Sequence, residues 1–171
     1  MLFLGSFPPA RHRWSMDFFY PNFTNDFWRV MGLCLYDDKN FFVDESQRHF
    51  RLGDIVRELT RRGMGIYDTA FEVRRTKNTA SDKDLEVVTA TDLDALLAAA
   101  PQCRKVVTTG QKATEIFSDH FNVSPPKVGQ YVEFTFNGRS IRLYRMPSTS
   151  RAYPLALEKK AEIYKRVFHD E

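Results

Sequence analysis

The sequence is poor in the residues that build metal and redox sites. It has two cysteines, Cys34 and Cys103, too few for an all-thiolate zinc site or for an iron–sulfur cluster with four thiolates. Its four histidines are scattered, and no two of them have the helical spacing of metal ligands. A disulfide between the cysteines stays open, and we favour free thiols in a reducing compartment. We therefore expect no bound metal.

Signatures of cofactor and nucleophile chemistry are missing as well. The chain has no glycine-rich dinucleotide fingerprint, no phosphate-binding loop ending in Lys-Ser/Thr and no Gly-x-Ser-x-Gly elbow. It also has no long hydrophobic run near its start, because a glycine and two prolines interrupt the apolar residues after Leu4. We expect neither a signal peptide nor a transmembrane helix there. The sequence thus predicts a cytoplasmic protein that uses no cofactor.

Aromatic residues, by contrast, are abundant. The 171 residues include 15 Phe, 7 Tyr and 2 Trp, a content that excludes a disordered chain. The length predicts a single domain over 1–171.

The charge of the chain is mildly basic. Its formal net charge of +3 is compatible with a polyanionic partner without establishing one. Basic residues cluster at Arg11–Arg13, at Arg74, Arg75 and Lys77, and at Arg139, Arg142, Arg145 and Arg151. A solvated face is the plain alternative for each cluster.

Apolar runs and helical spacings alternate along the chain. We predict strands at 1–4, 64–68, 105–109, 131–136 and 141–144, with an Asn-Gly hairpin between the last two. We predict helices after a cap at 24–26, at about 47–62, from a cap at Thr91 to Ala100, at 112–121 and at about 154–168. This order favours a three-layer α/β/α domain with a short, mainly parallel central sheet.

The ligand crevice of such a sheet lies beyond the carboxyl ends of its strands. Here those ends lead into the loops 5–9, 68–79, 109–112 and 146–151. The basic clusters fall in or beside these loops, so the fold and the charge predict one functional face.

Two of these loops carry a resemblance to a known family. The sequences Gly5-Ser6-Phe7-Pro8-Pro9 and Met146-Pro147-Ser148-Thr149-Ser150 resemble the two loop motifs of the uracil-DNA glycosylase superfamily. The stretch 18–28, FFYPNFTNDFW, resembles a segment of the branch that includes hypoxanthine-DNA glycosylases and mismatch-specific uracil-DNA glycosylase-like proteins. The segments 65–68 and 108–113 fall where the family has its second and third strand motifs. The resemblance spans most of the chain and implies a uracil-DNA glycosylase-like α/β fold.

Three positions depart from the family pattern. Phe7 stands where the most active branches have a water-activating Asp or Asn, and Met146 stands where uracil-specific enzymes have a base-stabilising His. Thr109 replaces an Asn able to read a base edge. The resemblance to the hypoxanthine branch moves the catalytic role to Asn25. Because an amide orients water but is a poor base, we expect a slow enzyme.

The resemblance, the basic residues beside the loops and the aromatic faces that a flipped base would need together imply a set of site residues. The catalytic residues are Asn25 and Ser148. The base-binding residues are Gly5, Ser6, Phe7, Pro8, Phe19, Tyr20 and Thr109. The DNA-binding residues are Arg13, Arg74, Arg75, Lys112, Ser148, Ser150 and Arg151.

Each of these assignments has a structural alternative. Asn25 could cap the following helix, and the serines of the last loop could form an ST-turn. The aromatic residues could be core residues. Asp17 and Asp26 could supply negative charge, although a cap or surface role is the plainer interpretation.

The implied function is excision of a deaminated or damaged base, uracil or hypoxanthine, from DNA by a monomeric, monofunctional glycosylase in base-excision repair. Its partner is DNA, with no membrane. A catalytically silent nucleic-acid binding module on the same fold is the alternative. A third hypothesis is a generic α/β enzyme acting on free nucleosides or nucleotides.

Overall fold

The computed structural model describes residues 1–79 and 81–170, and its chain divides into two compact units. Unit 1 consists of Met1–Pro8 and Gly65–Met146. Unit 2 consists of Pro9–Met64 and the chain from Pro147 onward. The single domain over 1–171 stays a prediction.

The elements follow one another in an alternating order. In chain order they are β1 (Leu2–Gly5), α1 (Phe27–Tyr36), β2 (Val43–Asp44), β3 (His49–Phe50), α2 (Leu52–Arg62), β4 (Gly65–Asp68), β5 (Ala70–Arg75), β6 (Leu85–Ala90), α3 (Leu93–Ala98), β7 (Lys105–Thr109), α4 (Gln111–Phe121), β8 (Tyr131–Phe136), β9 (Arg139–Met146) and α5 (Leu157–His169). Short 3₁₀ helices occur at Arg11–Arg13 and Asp82–Asp84.

Unit 1 is built on a five-stranded sheet of order β4-β1-β7-β9-β8. The first four of these strands run parallel, and β8 pairs antiparallel with β9. β1 is an interior strand, and its residues Leu2, Phe3 and Leu4 are all buried, as expected for a strand covered on both faces. The predicted mainly parallel sheet is confirmed. Because β1, β7 and β9 are parallel, Gly5 and Met146 end their strands at the same edge, as the sequence predicted.

A core cluster of leucine, valine, isoleucine and aromatic side chains packs against this sheet in unit 1. It includes Leu93 and Leu97 of α3, Val106 of β7 and Phe117 of α4. The predicted hairpin is also present, since Asn137 and Gly138 both have positive φ, at 48° and 76°.

One ribbon in unit 1 was missed by the sequence analysis. The segment 68–79 was expected to be a loop, but half of it forms β5, which pairs antiparallel with β6. Arg74 and Arg75 therefore lie on a strand. The ribbon is largely exposed and rich in charged residues, so it lacks the apolar alternation that reveals a half-buried strand.

Helix boundaries in unit 2 differ from the prediction at the start of α2. The sequence predicted a helix from about 47, but β2 and β3 form a short antiparallel hairpin there, and α2 begins at Leu52. Asp44 causes the turn, because its carboxylate accepts hydrogen bonds from Ser46 Oγ (2.6 Å) and the Gln47 amide (3.3 Å). The predicted terminator Gly63 is confirmed, with φ 61°.

Three smaller expectations were wrong. Val56 was predicted to face inward but is 44% exposed. α3 is capped by Asp92, whose side chain accepts from the Ala95 amide, while the Thr91 hydroxyl bonds Asp68 O. α5 begins at Leu157 rather than near 154.

Two helical glycines test the packing of unit 2. A methyl group on Gly32 of α1 would overlap the backbone carbonyl oxygen of Asp38, whereas one on Gly53 of α2 would meet nothing within 4 Å. We expect Gly32→Ala to lower the free energy of unfolding by about 1–3 kcal/mol through overpacking. Gly53→Ala should raise it by about 0.5–1 kcal/mol, because alanine loses less backbone entropy. Urea unfolding of both variants checks this, and equal stabilities would contradict it.

Candidate active site

The loop after β1 is held rigidly by the residues that follow β4. The Thr69 amide and hydroxyl both donate to Gly5 O, at 2.8 and 3.0 Å. The Ala70 amide donates to Ser6 O at 3.0 Å. The pairing of β1 with β4 thus continues past the sheet, and the backbone of Gly5 and Ser6 is fixed in place.

Arg75 braces the end of the same loop. Its guanidinium donates to Pro8 O at 2.6 Å and to Thr79 O at 3.3 Å. Two backbone carbonyls therefore take up part of its hydrogen-bonding capacity. Arg74, its neighbour on β5, is exposed.

Two carboxyl groups lie at this carboxyl edge of unit 1. Asp68 ends β4 directly opposite Gly5 in the strand register. Asp82 opens the second 3₁₀ helix, and its carboxylate accepts a hydrogen bond of 2.7 Å from Ser6 Oγ. The edge predicted to carry the ligand crevice thus carries two acids that sequence reasoning did not place in the site.

Burial sets the protonation of both acids. It raises the pKa of Asp68 to about 7, and the charge of Asp82 adds to the shift. Burial also raises the pKa of Asp82, against the lowering effects of the Ser6 hydrogen bond and the charges of Arg75 and Lys112. A carboxyl group that titrates near neutral pH can take up or release a proton during a reaction.

Thr109 ends β7 at the same edge. It is buried, and its hydroxyl donates to Leu4 O at 3.4 Å. The amide of Gly110, which follows it with φ 94°, donates to Met146 O at 3.0 Å. Met146 is fully buried and Phe7 is half-buried, so neither position offers a titratable group at this edge.

Asn25, in unit 2, takes part in capping α1. Its side-chain carbonyl accepts a 2.9 Å hydrogen bond from the Phe27 amide, and its backbone carbonyl accepts one of 3.2 Å from Arg29. The alternative role of Asn25, capping of the following helix, is therefore observed. A catalytic role stays a prediction and would fall to the side-chain amide N–H groups.

The last predicted loop also contains the expected turns. Ser148 Oγ accepts from the Ser150 amide and Ser150 Oγ accepts from the Ala152 amide, both at 3.2 Å. The loop is anchored at Pro147, whose carbonyl accepts a 2.7 Å bond from the Tyr164 hydroxyl of α5. Both serines belong to ST-turns, and their contacts with DNA stay predictions.

Asp26 is neither a surface acid nor a side-chain cap, which corrects the plainer interpretation. It is 6% exposed and makes no side-chain capping bond. Its carboxylate pairs with Lys160 Nζ at 3.0 Å and with Arg151 Nε at 3.3 Å, and Lys160 itself is fully buried. Its amide donates to Thr149 O at 2.9 Å. Asp26 thus joins α1, α5 and the last loop. Its ion pair with Arg151 leaves only the other N–H groups of that guanidinium for a further ligand.

The remaining candidates of unit 2 differ in their surroundings. Tyr20 stacks on Phe27 at 4.0 Å between ring centroids, so one face of its ring is already covered. The Phe19 carbonyl accepts a 3.0 Å bond from the Trp28 indole. Arg13 is exposed at the end of the first 3₁₀ helix. Their roles toward a base or phosphate stay predictions.

No family model and no curated protein matches the chain. Among solved structures, the chain is similar to the solution NMR structure of a protein from Methanosarcina acetivorans described as a "putative uracil DNA glycosylase". The match has a TM-score of 0.59 and 19% identity, and covers 98% of this chain and 89% of the other. The predicted uracil-DNA glycosylase-like α/β fold is confirmed.

In the described parts of the chain, no helix is long and apolar enough to cross a membrane. Within those same residues, no group of three or more His, Cys, Asp and Glu side chains is arranged to hold a metal ion.

The pH dependence of stability tests the environment of Asp68. Its pKa rises from the ordinary value of 3.8 to about 7 in the folded protein, so between these values the folded state holds a proton that the unfolded chain has released. The free energy of unfolding should therefore fall as pH rises through this window. Asp68→Asn should flatten that fall, as measured by urea unfolding from acidic to neutral pH. The exposed Asp119→Asn control should keep the wild-type slope, and a wild-type slope in Asp68→Asn would contradict the account.

The buried ion pair gives a second test. Lys160→Met leaves the Asp26 carboxylate with Arg151 alone in a buried position, and we expect a loss of about 3 kcal/mol in the free energy of unfolding. The adjacent Lys159 is exposed and pairs with Glu162 at 3.1 Å. Lys159→Met should change stability by no more than about 0.5 kcal/mol. Equal losses in the two methionine variants would remove the special role of the Asp26–Lys160 pair.

Proposed function

We propose that this chain is a DNA glycosylase that hydrolyses the N-glycosidic bond of a deaminated or damaged base, uracil or hypoxanthine, after the base is flipped from the duplex. The fold likeness to a protein described as a uracil DNA glycosylase supports the general class. The two loop sequences resemble those of the superfamily, and the aromatic segment before α1 favours the hypoxanthine-DNA glycosylase branch.

One observation carries the proposal. A carboxyl group with a pKa of about 7, Asp68, ends a strand directly beside the Gly5 loop, where an α/β sheet of this kind binds its ligand. The active branches of the superfamily place an acid or amide in that loop, and this chain has Phe7 there. We infer that Asp68, from the neighbouring strand, supplies the missing charge.

The chemistry requires a negative group and a positioned water. As the bond between C1′ and the base nitrogen breaks, its electron pair leaves with the base and the sugar gains oxocarbenium character. Ionised Asp68 stabilises this cation and accepts a proton from the water that adds to C1′. The base anion takes a proton from solvent, and an abasic site remains. Asp82 holds Ser6 in place and keeps the loop ordered.

The other assignments from the resemblance remain part of the proposal. Asn25 orients the water through its side-chain amide, and Ser148 faces the leaving base. Base binding is assigned to the loop residues Gly5–Pro8, to Thr109 and to the aromatic pair Phe19 and Tyr20. The DNA backbone is bound by Arg13, Arg74, Arg75, Lys112, Ser148, Ser150 and Arg151.

A catalytically silent binding module is the second candidate. It is favoured by the use of Asn25 as a helix cap and by the absence of a titratable group at Phe7 and Met146. Such a module would bind DNA with strong salt dependence and leave every base in place. A glycosylase would instead produce alkali-labile abasic sites.

Excision from oligonucleotides with uracil, hypoxanthine, xanthine or mismatched thymine tests the proposal. We expect slow single-turnover excision of uracil or hypoxanthine, detected as cleavage of the strand when the abasic product is treated with alkali. No abasic product from any of these substrates would overturn the enzyme and favour the binding module.

Two variants separate the catalytic and capping roles of Asn25. Asn25→Ala removes both the cap and the amide, whereas Asn25→Ser keeps a cap acceptor and removes only the amide. We expect both to lower the single-turnover rate at least about a hundredfold, as for the loss of a preorganised transition-state donor, with DNA affinity nearly unchanged. A wild-type rate in Asn25→Ser would reduce Asn25 to a helix cap.

A further inference from the structure

Unit 2 contains a cavity of about 580 Å³, and Arg151 is the only one of the candidate site residues among its described lining residues. Its lining has five cationic side chains, namely Arg29, Lys39, Arg48, Arg151 and Lys160. Only two carboxylates, Asp26 and Glu45, lie among the lining residues. The cavity therefore has an excess of positive charge.

Part of the positive charge is already compensated. Asp26 is already shared by Lys160 and Arg151, at 3.0 and 3.3 Å. Arg29 and Arg48 form no ion pair with any carboxylate of residues 1–79 and 81–170. These two guanidinium groups, together with the Lys39 ammonium group in the same lining, are available to an anion.

Arg29 is an unusual residue to leave without a counterion. It is 5% exposed, and its Nη1 donates to the carbonyls of Phe23 (2.7 Å) and Asn25 (3.2 Å). Burial lowers the pKa of its guanidinium, and the charges of Arg151 and Arg48 lower it further, against the charges of Glu45 and Asp26. Buried charges in proteins are ordinarily paired or bind a ligand.

Arg48 and Arg29 contact the same aromatic ring. The guanidinium carbons of Arg29 and Arg48 lie 4.7 and 5.1 Å from the centroid of Phe23. The β2–β3 turn places Arg48 there with φ 51°. Arg29 and Arg48 both line the cavity, and an anion bound in it would offset the repulsion between their charges.

We propose that this cavity binds a phosphate group. Paired guanidinium groups match the oxygens of a phosphate through charge-assisted, bidentate hydrogen bonds, and Lys39 adds a third positive charge. The volume exceeds that of a phosphate alone and lies in the range of sites for nucleotide-sized ligands. The phosphate comes from a nucleic-acid backbone or from a phosphomonoester such as a mononucleotide. The proposal does not depend on glycosylase activity.

Titration with inorganic phosphate tests the site directly. We expect phosphate to bind saturably by calorimetry and to raise the Tm of the full chain, relative to sodium chloride at equal ionic strength. Arg48→Gln should weaken phosphate binding at least tenfold. Arg48 is exposed, so this variant is expected to fold, and Arg29→Gln provides a second variant on the buried side. Arg57→Gln is the matched control, because Arg57 is exposed on α2, pairs with Asp54 and lies outside the cavity.

The outcomes separate the site from general charge effects. Absence of a saturable phosphate effect in the wild type, or equal phosphate affinity in Arg48→Gln and Arg57→Gln, would overturn the proposal.

Two further titrations identify the source of the phosphate. Thymidine 5′-monophosphate that binds where thymidine does not indicates a phosphomonoester. An oligonucleotide without terminal phosphates whose affinity falls in Arg48→Gln indicates a nucleic-acid backbone. Either result supports the phosphate site. Base excision is measured separately, so that failure of the phosphate site and failure of the glycosylase proposal can be told apart.

Discussion

Parallel pairing of β1 with both β4 and β7 determines where the polar groups of unit 1 lie. Parallel strands end at a common edge, so Gly5, Asp68 and Thr109 are brought together although they are far apart in the sequence. The hydrogen bonds from Thr69 to Gly5 extend this pairing into the loop. Asp68 ends the edge strand β4 directly beside this ordered loop, and burial there raises its pKa to about 7. The protonation of the candidate site is thus a result of sheet topology.

In unit 2 a single buried carboxylate has the equivalent role. Asp26 joins the start of α1 to Lys160 of α5 and, through its amide, to Thr149 of the last loop. Because Asp26 is shared by Lys160 and Arg151, it offsets the nearby charge of Arg29 only in part. The ion pair that orders the unit is thus part of a cavity lining with excess positive charge.

The sequence predicts the parts of the structure that depend on local patterns. The interior strands β1 and β7 are runs of apolar and β-branched residues because both their faces are buried, and Asn137-Gly138 specifies its hairpin through positive φ. The exposed β5–β6 ribbon has no such pattern and was missed. The contacts that define the candidate site are equally non-local. Ser6 and Asp82 are 76 residues apart, and Asp26 and Lys160 are 134 apart, so no spacing rule could join them. One local signal was available for Asp68, which is an acid at the carboxyl end of a predicted strand.

The pH dependence of single-turnover excision tests the central claim that Asp68 supplies the charge for base removal. With a uracil or hypoxanthine substrate, the wild-type rate should rise with pH through about 7 and then level off, as Asp68 ionises. Asp68→Asn, compared at conditions where both proteins are folded, should be slow and independent of pH over this range. Wild-type rates and a wild-type profile in Asp68→Asn would contradict the account.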